Sequence, residues 1–355
     1  MTTASSTVQE TTSGLSRVAR FPRLRALAWS GNTLFASRGY ELLRTNMDDP
    51  RNVTWRSVAV FRPSRRRRLS VRNALTARLF RDGFHALAVL PSSLVAAVPG
   101  AIVTLRGDER EFYLTHAITR GTRPLHITAV PDGAIFWGEY FDNPSREEVH
   151  IYASTDHGHT WSVAHTFPAK SIRHVHNIVH DPWGNCLWIL TGDYGDECRI
   201  LRASCDLTRI DTVLQGNQQA RAVAAVPTED GLYFSSDTPL EQNYIYRLDR
   251  AGVLSRLASI SSSSIYGCRV ADHVFFSTMV EPSEVNRDHT VRIYGASEGE
   301  NSLPLLEWRK DYWPMGLFQY GNAFLPDGVN TTQFLAVSTI AVAADDMATS
   351  LFRVT

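Results

Sequence analysis

An all-β fold, a single β-propeller of seven four-stranded blades, is predicted by two observations on the 355-residue chain. Short β-type runs bounded by Gly, Pro, Asp and Asn recur along the whole length, and one strand-turn-strand pattern returns at a blade-sized period. The first strands begin near Leu24, Phe84, Leu125, Arg173, Ala220, Ile265 and Phe318, about 41 to 60 residues apart. The second strands align as LFASRG, LVAAVPG, IFWGEY, LWILTGD, LYFSSD, VFFSTM and FLAVST. The last unit supplies only three strands, so Leu15 to Arg20 is expected to add the fourth and close the ring. Six or eight blades are the alternatives. Residues 1–14 are expected to form a disordered tail and 15–355 the propeller. Only Asn73 to Arg81 has helical character. The arginine tract Arg62 to Arg72 is expected to be an exposed loop between the first two blades.

Composition narrows the function classes. The 36 basic and 36 acidic side chains balance, against nucleic-acid or membrane-surface binding, both of which draw on a basic excess. No apolar run reaches membrane-spanning length, and Met1 to Ser13 has neither the basic nor the apolar region of a secretory signal. A cytoplasmic location is the expectation. The four cysteines form no CxxC pair and imply free thiols. Oligomeric state is not legible.

Ser154-Thr155-Asp156-His157-Gly158-His159-Thr160-Trp161 matches S-x-D-x-G-x-T-W. It resembles the Asp-box, or BNR repeat, of the sialidase superfamily and related propellers. The spacing suits a tight turn: Asp156 satisfies turn amides, Ser154 and Gly158 shape the turn, and Trp161 packs back between sheets. In families that carry the motif it lies away from the active site, which implies a structural role here. Three further stretches, GEYFDNPSREEVHIYASTDHGHTW, IRHVHNIVHDPWGNCLWILTGDYGDEC and SSDTPLEQNYIYRLDR, resemble a group of Asp-box propellers associated with bacterial polysaccharide gene clusters. That resemblance implies glycan chemistry without naming a reaction.

Meander geometry indicates which loops converge. In an up-and-down blade, the connections entering strand one and those joining strands two and three share a face. The first set contributes Arg123, His126, Arg173, His174, His176 and Arg221; the second contributes Glu139, Tyr140, Asp193, Asp237 and Glu281. A carboxylate follows strand two in four consecutive units, and a basic residue begins strand one in the same four. Loops are polar in any case, so each residue also has a solvated, non-functional interpretation.

The period of a strand places His174 and His176 on one side. They are candidates for a divalent metal site with His126 or His150 as third ligand, for an acid/base pair, or for a hydrogen-bonded structural pair. No cofactor is otherwise expected. Arg123, Arg173 and Arg221 suit a substrate carboxylate, and sialidases bind theirs with an arginine cluster similar in kind. The sialidase Arg-Pro motif and Tyr/Glu nucleophile pair are missing, however.

Three functions follow as expectations. The first is a glycoside hydrolase on an acidic glycan, with Glu139 and Asp193 as the carboxylate pair and Asp237 and Glu281 in reserve. The second is a uronate lyase using His174, His176 and Tyr140 for proton transfer, with Arg173 or Arg221 neutralising the sugar. The third is a non-catalytic glycan-binding or assembly module.

Overall fold

The structure is a computed structural model and describes residues 14–49, 53–296 and 303–355. It is a closed ring of seven blades. The inner strands are Arg25–Gly31, Ala86–Val89, Thr128–Ala129, Val175–Asp181, Ala222–Thr228, Ser264–Val270 and Asn322–Phe324. In blades 1 to 6 the four strands follow chain order outward as an antiparallel meander. In blade 7 the outermost strand is the N-terminal Leu15–Pro22, paired antiparallel with Ala348–Val354 from Leu15 opposite Val354 to Pro22 opposite Ala348. Residues 1–13 of the expected tail lie outside the described residues.

The second strands are apolar on both faces because each blade is covered by a neighbour on either side. All six residues of Cys186–Thr191 (CLWILT) are buried. Leu187 and Ile189 pack with Val149, Ile151 and Phe136 of the preceding blade, whereas Trp188 and Leu190 pack with Phe234 and Leu232 of the next. Burying each such side chain contributes about 1.5–3 kcal/mol. Burial fades outward, and the outer strand Ile210–Gln215 is mostly exposed.

Two departures from the simple repeat shape the centre. Asp327–Asn330 forms an extra short strand running parallel to the inner strand of blade 1, with Ala28 opposite Asp327. It also touches the inner strands of blades 2 and 6 and so narrows the central channel. The linker between blades 1 and 2 folds as two short helices, Arg65–Ser70 and Ala74–Phe80. Asn73 caps the second by accepting the Leu75 amide, as its capping preference dictates. Within the arginine tract, Arg65–Ser70 is helical rather than a loop, in keeping with the high helix propensity of arginine, and most of the tract is exposed as expected. The seventh inner strand begins at Asn322, because Met315–Phe318 is a helical turn.

This helical insert is bolted over blades 7 and 1. Arg78, almost fully buried, donates to Asp311 Oδ2 (2.6 Å), to Asp346 Oδ2 (3.2 Å) and twice to the Phe318 carbonyl. Tyr40 of blade 1 donates to Asp82 Oδ1 at 2.9 Å, and Asp82 also receives Arg67 and Ser70.

Ser154 to Trp161 forms the hairpin between the third and fourth strands of blade 3. Asp156 Oδ1 accepts the amides of His159 and Thr160, and Ser154 Oγ accepts the Gly158 amide. Gly158 has φ +86°, and a Cβ there would lie 2.4 Å from Val95 Cγ2, so glycine lets the turn press onto blade 2. Trp161 Nε1 donates to Thr115 of that blade. Asp206 and Asp249 close the equivalent hairpins of blades 4 and 5 by accepting the Thr208 and Val253 amides. These degenerate repeats of the device were not apparent from the sequence.

Candidate functional site

The candidate site is built where the loops of blades 3 to 6 meet, and most of its polar side chains are buried. Gly138 ends the second strand of blade 3, and a Cβ there would lie 2.4 Å from Val175 Cγ1. Its absence lets the following loop lie against the inner strand of blade 4, where the Val175 amide donates to the Glu139 carbonyl at 3.0 Å. Tyr140 is thereby laid over His174, with ring centroids 4.4 Å apart. In blade 4, Gly192 (φ +131°) turns the chain after Thr191 where any side chain would strike the Cys198 backbone. That turn directs Asp193 into the mouth.

His174 precedes the inner strand, and His176 is its bulged residue, skipped between the pairs Val175–Thr191 and Asn177–Leu190. The strict alternation expected from sequence is thus broken, yet the two rings still meet, because bulges re-aim side chains. Their Nε2 atoms are 3.0 Å apart. Asp193 Oδ1 lies 3.5 Å from His174 Nε2 and 3.3 Å from His176 Nε2. Arg173 Nη1 reaches Asp193 Oδ2 at 3.1 Å and also pairs with Asp142. Arg221 sits between carboxylates, its Nη2 at 3.3 Å from Asp193 Oδ1 and 3.5 Å from Asp237 Oδ2. Glu281 of blade 6 completes the group and makes no direct ion pair among the described residues, although its charge is felt by Arg221.

Electrostatics divides these carboxylates. Burial disfavours the Asp193 anion, but the adjoining His174 and His176 outweigh it and hold the group well below the usual carboxylate range. Burial pushes Asp237 up to about 7 despite Arg221, with the charge of Glu281 adding to the rise. Burial, with Asp193 nearby, raises Glu281 as well. Tyr140 is pushed up to about 12 by burial and by the charges of Asp237 and Asp193. Asp237 Oδ1, Arg221 Nε and Nη1, and Arg173 Nε are buried without a hydrogen-bond partner.

A second, basic cluster faces the insert. Arg25 donates from Nη1 to His85 Nδ1 (3.1 Å) and from Nη2 to the His85 carbonyl (3.2 Å), and its guanidinium lies over the Phe324 ring. Arg123 belongs here: burial and the charges of Arg25 and Arg81 lower it to about 10. Arg25 and His85 also start inner strands, so the signal that singled out Arg173 was present in blades 1 and 2, where the loops after strand two were bland.

Several expectations are corrected. Glu139 turns away from the mouth, because alternation at the strand end aims Tyr140 inward and Glu139 toward blade 2. There Arg120 holds it in a bidentate pair and the His150 amide donates to its Oε2 at 2.8 Å. Glu139 and Asp193 are therefore no carboxylate pair, and Asp193 is committed to two arginines and two histidines. His126 is not a partner of the histidine pair; its Nδ1 is 3.0 Å from Asp327 Oδ2 in the channel. His150 Nδ1 meets Thr166 Oγ1 within its own blade. Arg123 does not converge with Arg173 and Arg221.

No protein-family model matches the chain, and no curated protein does. Solved structures do. One is the crystal structure of the mitotic checkpoint complex, at TM-score 0.59 and 11% identity over 96% of this chain and 94% of that one. Another is the WD40 β-propeller domain of Doa1, at TM-score 0.56 and 11% identity over 96% of both chains. A third is the Cps50 (Swd1) β-propeller domain of Myceliophteria thermophila, at 0.58 and 11% over 94% and 97%. At this identity the likeness shows the fold alone, a single β-propeller. The Asp-box resemblance is carried by the turn at Ser154 to Trp161, and none of these structures extends it to the sialidase superfamily. The expectation of a glycoside hydrolase or a lyase is corrected by these propeller neighbours, and the displacement of Glu139 removes the expected catalytic pair. Among the described residues, no helix is long and apolar enough to cross a membrane.

Proposed function

We propose that this chain is a non-catalytic binding propeller that assembles with a partner polypeptide, taking a basic side chain of that partner into its mouth between the loops of blades 3 to 6. The observation that carries this reading is the uncompensated charge around Arg221. Three carboxylates, Asp193, Asp237 and Glu281, share that guanidinium, while Arg173 is divided between Asp193 and Asp142. Asp237 Oδ1 is buried and lacks a partner. Buried acceptors without donors are rare in native proteins unless water or a ligand completes them. Tyr140 and the exposed Tyr194 flank the group and would pack on the apolar stem or planar head of a lysine or arginine. Burying such a cation between two carboxylates is favourable only where the carboxylates are already desolvated, which they are.

Selection of a phage-displayed random peptide library on the immobilised full chain tests this. Enriched peptides should share a lysine or arginine, bind more weakly as salt rises, and lose at least tenfold in affinity to an Asp237→Asn/Glu281→Gln variant. Peptides that lack a shared basic residue, or that bind the variant equally, would refute the reading.

A further inference from the structure

We infer that His174, His176 and Asp193 form a binding site for a divalent transition-metal ion of the zinc class, ligated by the two Nε2 atoms and Asp193 Oδ1. The inference does not depend on a partner for the mouth. It starts from the hydrogen bonds on the far sides of the rings. His174 Nδ1 lies 3.0 Å from the Phe141 carbonyl and His176 Nδ1 lies 2.9 Å from the Ala222 carbonyl. A carbonyl oxygen only accepts, so both histidines carry their proton on Nδ1. In neutral rings each Nε2 then presents a bare lone pair.

Those lone pairs point into one small space. The Nε2 atoms are 3.0 Å apart, and Asp193 Oδ1 is 3.5 Å and 3.3 Å from them. Three acceptors facing one another with no proton between them are mutually repulsive, and all three residues are buried away from bulk water. A cation at their centre turns that repulsion into coordination. The spacing fits: bonds of about 2.0–2.1 Å to zinc place tetrahedral ligand atoms about 3.3 Å apart. The three observed separations bracket that value, and the three donor atoms form a compact group with metal-ligand spacing.

The surroundings are those of a metal site as well. Ligating histidines characteristically donate their other ring N–H to a backbone carbonyl or a carboxylate, which fixes tautomer and orientation. Both do so here. The Asp193 carboxylate is steered by Arg173 on Oδ2 and Arg221 on Oδ1. Imidazole with carboxylate is a donor set for zinc and its first-row neighbours rather than for calcium or magnesium. The competing occupant is a single proton shared between the two Nε2 atoms.

Titration of the full chain, free of any affinity tag and stripped with chelator, with Co²⁺ and then Zn²⁺ tests the inference. Wild type should take up one Co²⁺ per chain with the intense visible bands of a low-coordinate site, and Zn²⁺ should displace it. Asp193→Asn should weaken binding at least tenfold and a His174→Gln/His176→Gln double variant should abolish it, each judged on protein shown by circular dichroism to be folded. Zinc-edge X-ray absorption of the loaded wild type should show scattering from two imidazoles, which keeps the test decisive even if a variant fails to fold. Uptake no greater than that of the double variant, or a zinc shell without two imidazoles, would overturn the site and leave the shared proton as its occupant. Asp237→Asn/Glu281→Gln keeps all three ligands, so loss of peptide binding in that variant and loss of metal in the others are separate results.

Discussion

Arg78 Nη1 in the helical insert lies 2.6 Å from Asp311 Oδ2, in the connection between blades 6 and 7, with both groups removed from solvent. The contact spans 233 residues of chain and staples the insert across the ring closure. Asp311 keeps Lys310 as a second partner, so loss of Arg78 leaves the Phe318 carbonyl and Asp346 short of a donor rather than Asp311 unpaired, at a cost of about 1–3 kcal/mol. Arg78→Ala should therefore lower the free energy of unfolding by that amount in urea denaturation. Arg65→Ala, on the exposed side of the same insert, should change it by less than about 0.5 kcal/mol. Equal effects of the two would mean that the insert is held by something other than Arg78.

The turn around Asp156 predicts an acid-dependent effect. Burial opposes its charge, but the Thr160 hydroxyl and amide, Ser154 and the His159 amide prevail and lower the group to about 2. A depressed carboxylate stabilises the fold above its unfolded value, near 3.8, and that stabilisation is lost as pH falls through about 2. Asp156→Ala should thus lower Tm at pH 7 and leave it nearly unchanged near pH 2. Peptide binding at the mouth should not respond, because the turn lies in the hairpin at the far side of the blade. A mutant whose Tm deficit is constant from pH 7 to pH 2 would contradict this account.

Gly138 links packing to the site. Its missing side chain is what lets blade 3 approach Val175, and Tyr140 follows two residues later. Gly138→Ala forces a Cβ into the Val175 side chain, an overpacking error of about 1–3 kcal/mol. The variant should be less stable by that amount and should bind selected peptides more weakly, since Tyr140 is displaced from His174. Val175→Ala in the same background should restore part of both. Failure of that second change to rescue either property would remove the steric link.

The architecture was readable because a propeller states itself in sequence. A second strand such as Cys186–Thr191 is apolar at all but its last position because a blade covers each face, and the turns between strands recur at a blade-sized spacing. The convergence of Arg173, Asp193, Arg221 and Asp237 was readable for the same reason, since a meander alternates its loops between two faces. What failed depended on single-residue register. Whether Glu139 or Tyr140 faces the centre is decided by where Ile135–Gly138 ends, and the true partner of Glu139, Arg120, lies in a different loop. His126 was misplaced because its partner Asp327 belongs to a four-residue strand that pairs in parallel with a segment some 300 residues away, which leaves no local pattern. The eight residues of the Asp156 turn specify a hairpin. They carry no information about chemistry elsewhere in the ring.

Asp237 provides the sharpest pH test of the mouth. Burial, reinforced by the charge of Glu281 and only partly offset by Arg221, raises its carboxyl from 3.8 in the unfolded chain to about 7 in the fold. Between those values the folded state holds a proton that the unfolded state has released. Stability must then fall as pH rises from about 4 to about 7 and level off above. Glu281, also raised, adds to the same decline. Asparagine at position 237 keeps the volume and carries no charge to desolvate. Asp237→Asn should therefore match wild type near pH 4 and exceed it in stability at pH 8, with the gap opening across that window in chemical denaturation. A bound cationic peptide should close the gap in wild type by supplying the counter-charge, and should do nothing for the variant. A wild-type profile parallel to that of the variant from pH 4 to pH 8 would mean that Asp237 is already neutralised in the free chain, and the mouth would have no unmet demand for a cation.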